Sequence, residues 1–181
     1  MEFRLKYEGR LKSNGSPAEK HRLREYFHPQ LKEFWSHPPY KNVMELLRAD
    51  HADYITTLVE GFEFCYIVSQ DLGLTAELDI VLLKPDPPGR IISSGDVDNR
   101  LKTLFDALRF PKNKSELPTS VTPPTDSSPF YCVLEDDNLI TSVKVTCDRL
   151  LDFQDPLDVF LLIHVKTNQV TKGRWLDLLI P

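Results

Sequence analysis

The chain has 181 residues, 41% of them hydrophobic and 27% charged, with a formal net charge of −5. Such a length and composition suit one domain with a substantial core, and they exclude a disordered chain or two well-cored domains. The acidity argues against a protein that coats DNA, whose affinity comes largely from phosphate neutralisation; an enzyme needs only a local basic surface beside its catalytic acids.

Residues 3–11 alternate apolar Phe3, Leu5 and Tyr7 with charged neighbours, the period of a half-buried strand and not the unbroken apolar core of a secretory leader. No apolar run reaches membrane length, so a soluble, cytoplasmic protein without membrane partners is expected. Ser13-Asn14-Gly15-Ser16-Pro17 breaks the strand. From 19 to 35, Leu23, Phe27, Leu31, Phe34 and Trp35 share a helical face, with Pro29 predicting a kink or two abutting helices. That spacing makes Phe27, Phe34 and Trp35 packing residues before base-stacking ones. The same segment carries the densest basic stretch, in which Lys12, Lys20, Arg22 and Arg24 are candidate contacts to a DNA backbone. Another short helix is expected over 43–51.

Strands are predicted at 63–69 and 74–82, joined as a hairpin through 70–73. Leu101, Leu104, Phe105 and Leu108, spaced i, i+3, i+4, i+7, mark the strongest helix, with Asp96 or Asp98 at the N-cap position. Residues 111–130 hold five prolines and read as one long loop. Strands follow at 139–147 and 157–166, and a short one at 175–180. The order predicts a single α/β (α+β) domain spanning 1–181, its mixed sheet partly antiparallel and its helices on one face. Cys65, Cys132 and Cys147 are odd in number and widely spaced, as suits small buried hydrophobes, and no HExxH or Cys-x-x-Cys motif provides for zinc.

The chemistry concentrates in Gly95-Asp96-Val97-Asp98-Asn99-Arg100-Leu101-Lys102. Two carboxylates two residues apart at a helix entrance can converge on one hard cation. Lys102 follows Asp98 by one helical turn, off the apolar stripe, where an ammonium could meet a phosphate oxygen. Glu135-Asp136-Asp137 stands just before a strand and could complete the oxygen set that magnesium prefers. Taken one at a time, capping and a polar turn explain both clusters as well.

Together, Asp96-Val97-Asp98-Asn99-Arg100-Leu101-Lys102-Thr103-Leu104-Phe105-Asp106-Ala107-Leu108 and Glu135-Asp136-Asp137-Asn138-Leu139-Ile140 resemble the signature of RusA-type Holliday-junction resolvases. The resemblance covers roughly a third of the chain. It implies a magnesium-dependent (Mg2+, with Mn2+ as substitute), homodimeric endonuclease of branched DNA, with no nucleotide cofactor. By the same resemblance, Asp96, Asp98 and Asp137 are its metal-binding catalytic carboxylates and Lys102 its essential lysine. The alternatives are a non-catalytic nucleic-acid-binding module, or a protein-interaction domain that keeps the acidic motif.

Overall fold

The structure, a computed structural model, describes residues 1–50, 52–85, 96–122, 129–155 and 157–170, without the side chains of Asp50 and Asp96. β1 (Glu2–Arg10) buries Phe3, Leu5 and Tyr7 as its alternation predicts. It pairs antiparallel with β7 (Asp158–Gln169), and β7 pairs antiparallel with β4 (Leu74–Lys84). β6 (Ile140–Arg149) lies parallel to the other edge of β4, giving the order β1-β7-β4-β6. A second sheet, ordered β2-β3-β5, holds β2 (Thr56–Val59), β3 (Phe62–Val68) and β5 (Phe130–Leu134), with β3 and β5 parallel.

The mixed α+β class therefore follows the sequence, but the strands divide between two sheets. The hairpin expected between β3 and β4 is absent: the 70–73 turn hands the chain from one sheet to the other. β3 instead forms a hairpin with β2, through Glu60 and Gly61 at φ 49° and 84°. Positive φ at both central positions matches the twist of the strands. The sheets share one core, because Cys65, Ile67, Val133 and Leu134 join Leu5, Leu78, Ile80 and Ile163 in it.

α1 (Pro17–Ser36) begins with a complete capping box, Ser16 and Glu19 each accepting from the other's backbone amide. It runs through Pro29 as one helix, so of the kink or the two abutting helices expected there the second does not occur. Pro29 is exposed, so water can serve the carbonyl that loses its amide partner, while buried Phe27 and Leu31 on either side hold the helix to the core. Phe27 and Trp35 are buried and Phe34 stacks between Phe3 and Tyr40, so these aromatics serve packing. α2 (Tyr40–Asp50) follows as expected.

α3 (Asp96–Leu108) buries Leu104, Ala107 and Leu108. The segment after it is not one open loop. A 3-10 turn, Lys114–Glu116, leads to buried Leu117, which with Phe110 covers the outer face of the second sheet. The Phe110 ring stacks on Tyr66 at 5.3 Å. The strand expected at 175–180 lies outside the described residues.

Candidate metal centre

The N-terminal half of α3 is fixed by the chain that leaves β1. Arg100 is buried and donates to the Leu11 carbonyl, and the Asn14 amide donates to the Asn99 carbonyl at 3.4 Å. The Gly15 amide donates to Thr103 Oγ1 at 2.8 Å. Gly15 is required for this approach, since a Cβ there would lie 2.6 Å from Thr103 Cγ2. With its inner face held in this way, the helix turns Asp98 and Lys102 outward on successive turns, both exposed. Among the described residues neither has a hydrogen-bond or ion-pair partner.

The far end of α3 is closed by ion pairs. Arg24, 1% exposed, donates from Nε to the Arg109 carbonyl (2.9 Å) and from Nη2 to the Asp106 carbonyl (2.6 Å), satisfying acceptors a helix end leaves open. Arg24 is therefore a clamp between helices, and its burial removes it from the candidate DNA contacts. Asp106 pairs with Lys20 at 2.7 Å and with Arg109 at 3.1 Å, and not with Lys102. Burial alone would raise the Asp106 carboxyl, but the two cations outweigh it and hold the group below its ordinary value. Arg109 also grips Glu116 through both Nη atoms, at 2.7 and 3.2 Å.

Asp136 and Asp137 have different partners. Asp136 caps the 3-10 turn Asp137–Leu139, accepting from the Asn138 amide at 2.9 Å, and pairs with Lys112. Against the effect of burial, those contacts keep its carboxyl below the usual range. Asp137 is raised, first by partial burial and then by its hydrogen bond with the Asp136 carboxyl, against the pull of Arg109. Its side chain is 42% exposed, with Oδ1 lying 3.7 Å from Arg109 Nε.

Of the expected site residues, Asp98 and Lys102 stand on one exposed face toward the start of α3, whereas Asp137 lies against Arg109, the residue after its end. The Asp96 side chain lies outside the described residues. Among the described residues no three His, Cys, Asp or Glu gather as a ready cation cage. Asp98 and Asp137 offer only oxygen donors, the chemistry of a hard divalent ion. Arg109 Nε is buried without a hydrogen-bond partner, an orphan donor beside a carboxylate that is not yet fully engaged. By donor chemistry alone, these residues suit Mg2+ or Mn2+.

The candidate DNA contacts other than Arg24 lie near the surface. Lys12, on the chain that borders Asn99 and Thr103, is half-exposed and pairs with Glu19. Arg22 is exposed and donates to the Arg10 carbonyl at 3.2 Å, while Lys20 is held mainly by Asp106. Arg109 and Glu116 are absent from the residues the sequence singles out. The i, i+3 spacing of Asp106 and Arg109 is a usable signal; nothing local marks Glu116. A cleft of about 700 Å³ lies elsewhere, between the start of α1, the β2–β3 turn and residues 114–121.

No helix among the described residues is long and apolar enough to cross a membrane. No family model matches the chain, and neither a curated protein nor a solved structure matches it.

Proposed function

We propose that this chain is a metal-dependent endodeoxyribonuclease that hydrolyses phosphodiesters in branched DNA, such as Holliday junctions, as the RusA-type signature implies. The observation that carries the reading is the pairing of Asp98 and Lys102 on successive exposed turns of α3, with no described partner for either. Carboxylate and ammonium side by side without neutralising each other suit a ligand that needs both, and a metal-bound phosphodiester is one.

In this reading Asp96, Asp98 and Asp137 hold Mg2+, or Mn2+ in its place. The bound ion supplies Lewis acidity and a water of lowered pKa. Lys102 faces a non-bridging phosphate oxygen and offsets the charge that develops there. Lys12 and Arg22 hold the DNA backbone at the flank of α3. A homodimer would match the two-fold symmetry of a four-way junction. Such an enzyme would act in the cytoplasm.

The test is cleavage of labelled four-way junction, flap and linear duplex, each with and without Mg2+. Magnesium-dependent cutting of the branched substrates is expected, abolished by Asp98→Asn while folding and DNA binding persist. Full activity in Asp98→Asn would sink the mechanism. Binding without cutting would favour a DNA-binding module, and no affinity at low salt a protein-interaction domain.

A further inference from the structure

The Arg109 guanidinium has five N–H donors in a rigid plane. Nη1 donates to Glu116 Oε2 (2.7 Å) and to the Phe110 carbonyl (3.0 Å). Nη2 donates to Asp106 Oδ1 (3.1 Å) and to Glu116 Oε1 (3.2 Å). Both terminal nitrogens are thus pinned from two sides, which fixes the plane and with it the direction of the fifth donor. That donor, Nε–H, is buried, has no hydrogen-bond partner, and lies 3.7 Å from Asp137 Oδ1. A buried unpaired donor is costly, and a shift of about 0.7 Å would bring this pair to ordinary hydrogen-bond length.

We propose that Arg109, locked in place by Asp106 and Glu116, is the positioning residue for the metal centre: its Nε–H holds one oxygen of Asp137 so that the other is presented to the cation. This rests on the metal-dependent reading above. A carboxylate bound to a cation through one oxygen leaves the second to accept a hydrogen bond, and that outer partner sets the rotamer in which the first oxygen reaches the ion. Lysine cannot replace arginine in this role, because an ammonium could satisfy Asp106 or Glu116 but would carry no donor held toward Asp137. The proposal also gives the Pro-rich segment a function: the turn bearing Glu116 supports the metal site at one remove, through Arg109.

The test is Mn2+ binding to the full chain without DNA, followed by the electron paramagnetic resonance signal of the free ion. Wild type is compared with Arg109→Lys, Glu116→Gln and Asp137→Asn. The expected result is binding by wild type, loss of the site in Asp137→Asn, and about a 10-fold or greater rise in Kd for Arg109→Lys, the size seen when an outer partner of a metal ligand is removed. Glu116→Gln keeps an acceptor while releasing the charge that locks the guanidinium, so a smaller rise in the same direction is expected. It decides the matter by the same criterion if Arg109→Lys does not fold. A merely structural Arg109 would lower Tm and leave the Kd of the folded protein unchanged, which overturns the proposal. So would the absence of Mn2+ binding in wild type, which removes the metal centre as well, or a Kd insensitive to Asp137→Asn. Mn2+ binding that weakens as expected in a protein that cuts no DNA upholds the positioning role while the nuclease reading falls.

Discussion

His21 lies between the rings of Phe62 and Phe130, at 5.9 and 5.8 Å, and is almost wholly buried with no partner for Nδ1. Burial, aided by nearby Arg24, pulls its pKa down to about 4. An imidazole in the unfolded chain titrates near about 6.5. Between those values the unfolded state therefore binds the extra proton, so stability rises with pH and is lost as pH falls through the window. The contribution reaches about 3 kcal/mol at most across it. Urea unfolding at pH 4.5 and pH 7 should show the loss, and His21→Phe should flatten it. A residual slope of the same sign belongs to His28, also lowered by burial. An unchanged slope in His21→Phe would remove His21 as the cause.

At the scale of elements, the packing of α1 against α3 depends on Gly15 at one end and Arg24 at the other. Gly15→Ala drives a Cβ against Thr103 Cγ2, with no flexible side-chain end to yield. Such overpacking costs about 1–3 kcal/mol. Thr103→Ser removes the obstructing methyl and keeps the hydroxyl that accepts from the Gly15 amide. The double variant should accordingly recover most of the loss in chemical denaturation, and additive losses would show that the clash is not the cause. This fit also explains what could be read in advance. The stripe of α3 and the alternation of β1 are local periods, so they are legible in the sequence. Which strands pair is not local: the 70–73 turn has hairpin composition, yet it joins strands of different sheets. β5, buried along nearly its whole length, offers no alternation by which to recognise it. At the site, Asp98, Lys102 and Asp137 are legible as a motif. The network of Arg109 with Glu116 and Asp137 forms only when three separate segments meet.

For the molecule as a whole, an acidic chain has to reserve a few cations for any polyanion it binds. Lys20, Arg109, Lys112 and Lys144 all have carboxylate partners, as does Lys12, which DNA would have to draw away from Glu19, and Arg24 is buried. The basic side chains that border the exposed face of α3 are thus few. Replacing Lys12 or Arg22 by Ala should weaken DNA binding without regard to sequence. Each replacement should reduce the slope of log K against log salt by about one, because one phosphate fewer is neutralised and its counterion stays on the DNA. Slopes identical to wild type would exclude this face as the DNA-binding surface. Arg24→Met, by contrast, should act through stability, because it leaves the Asp106 and Arg109 carbonyls without donors.

β7 is the last strand among the described residues, yet it occupies the interior of its sheet, between the first strand and the fourth. Glu2 pairs with Lys166, so β1 has no strand partner until nearly the whole described chain has been made. A nascent chain lacking β7 exposes the edges of both β1 and β4, each rich in apolar side chains. Closing the chain between Arg10 and Asp158 is slow, because the entropy of the intervening loop is lost before any pairing repays it. During synthesis this protein is therefore most exposed to misassociation just before β7 emerges, and the smaller sheet, already complete by then, is the scaffold on which the larger one must close.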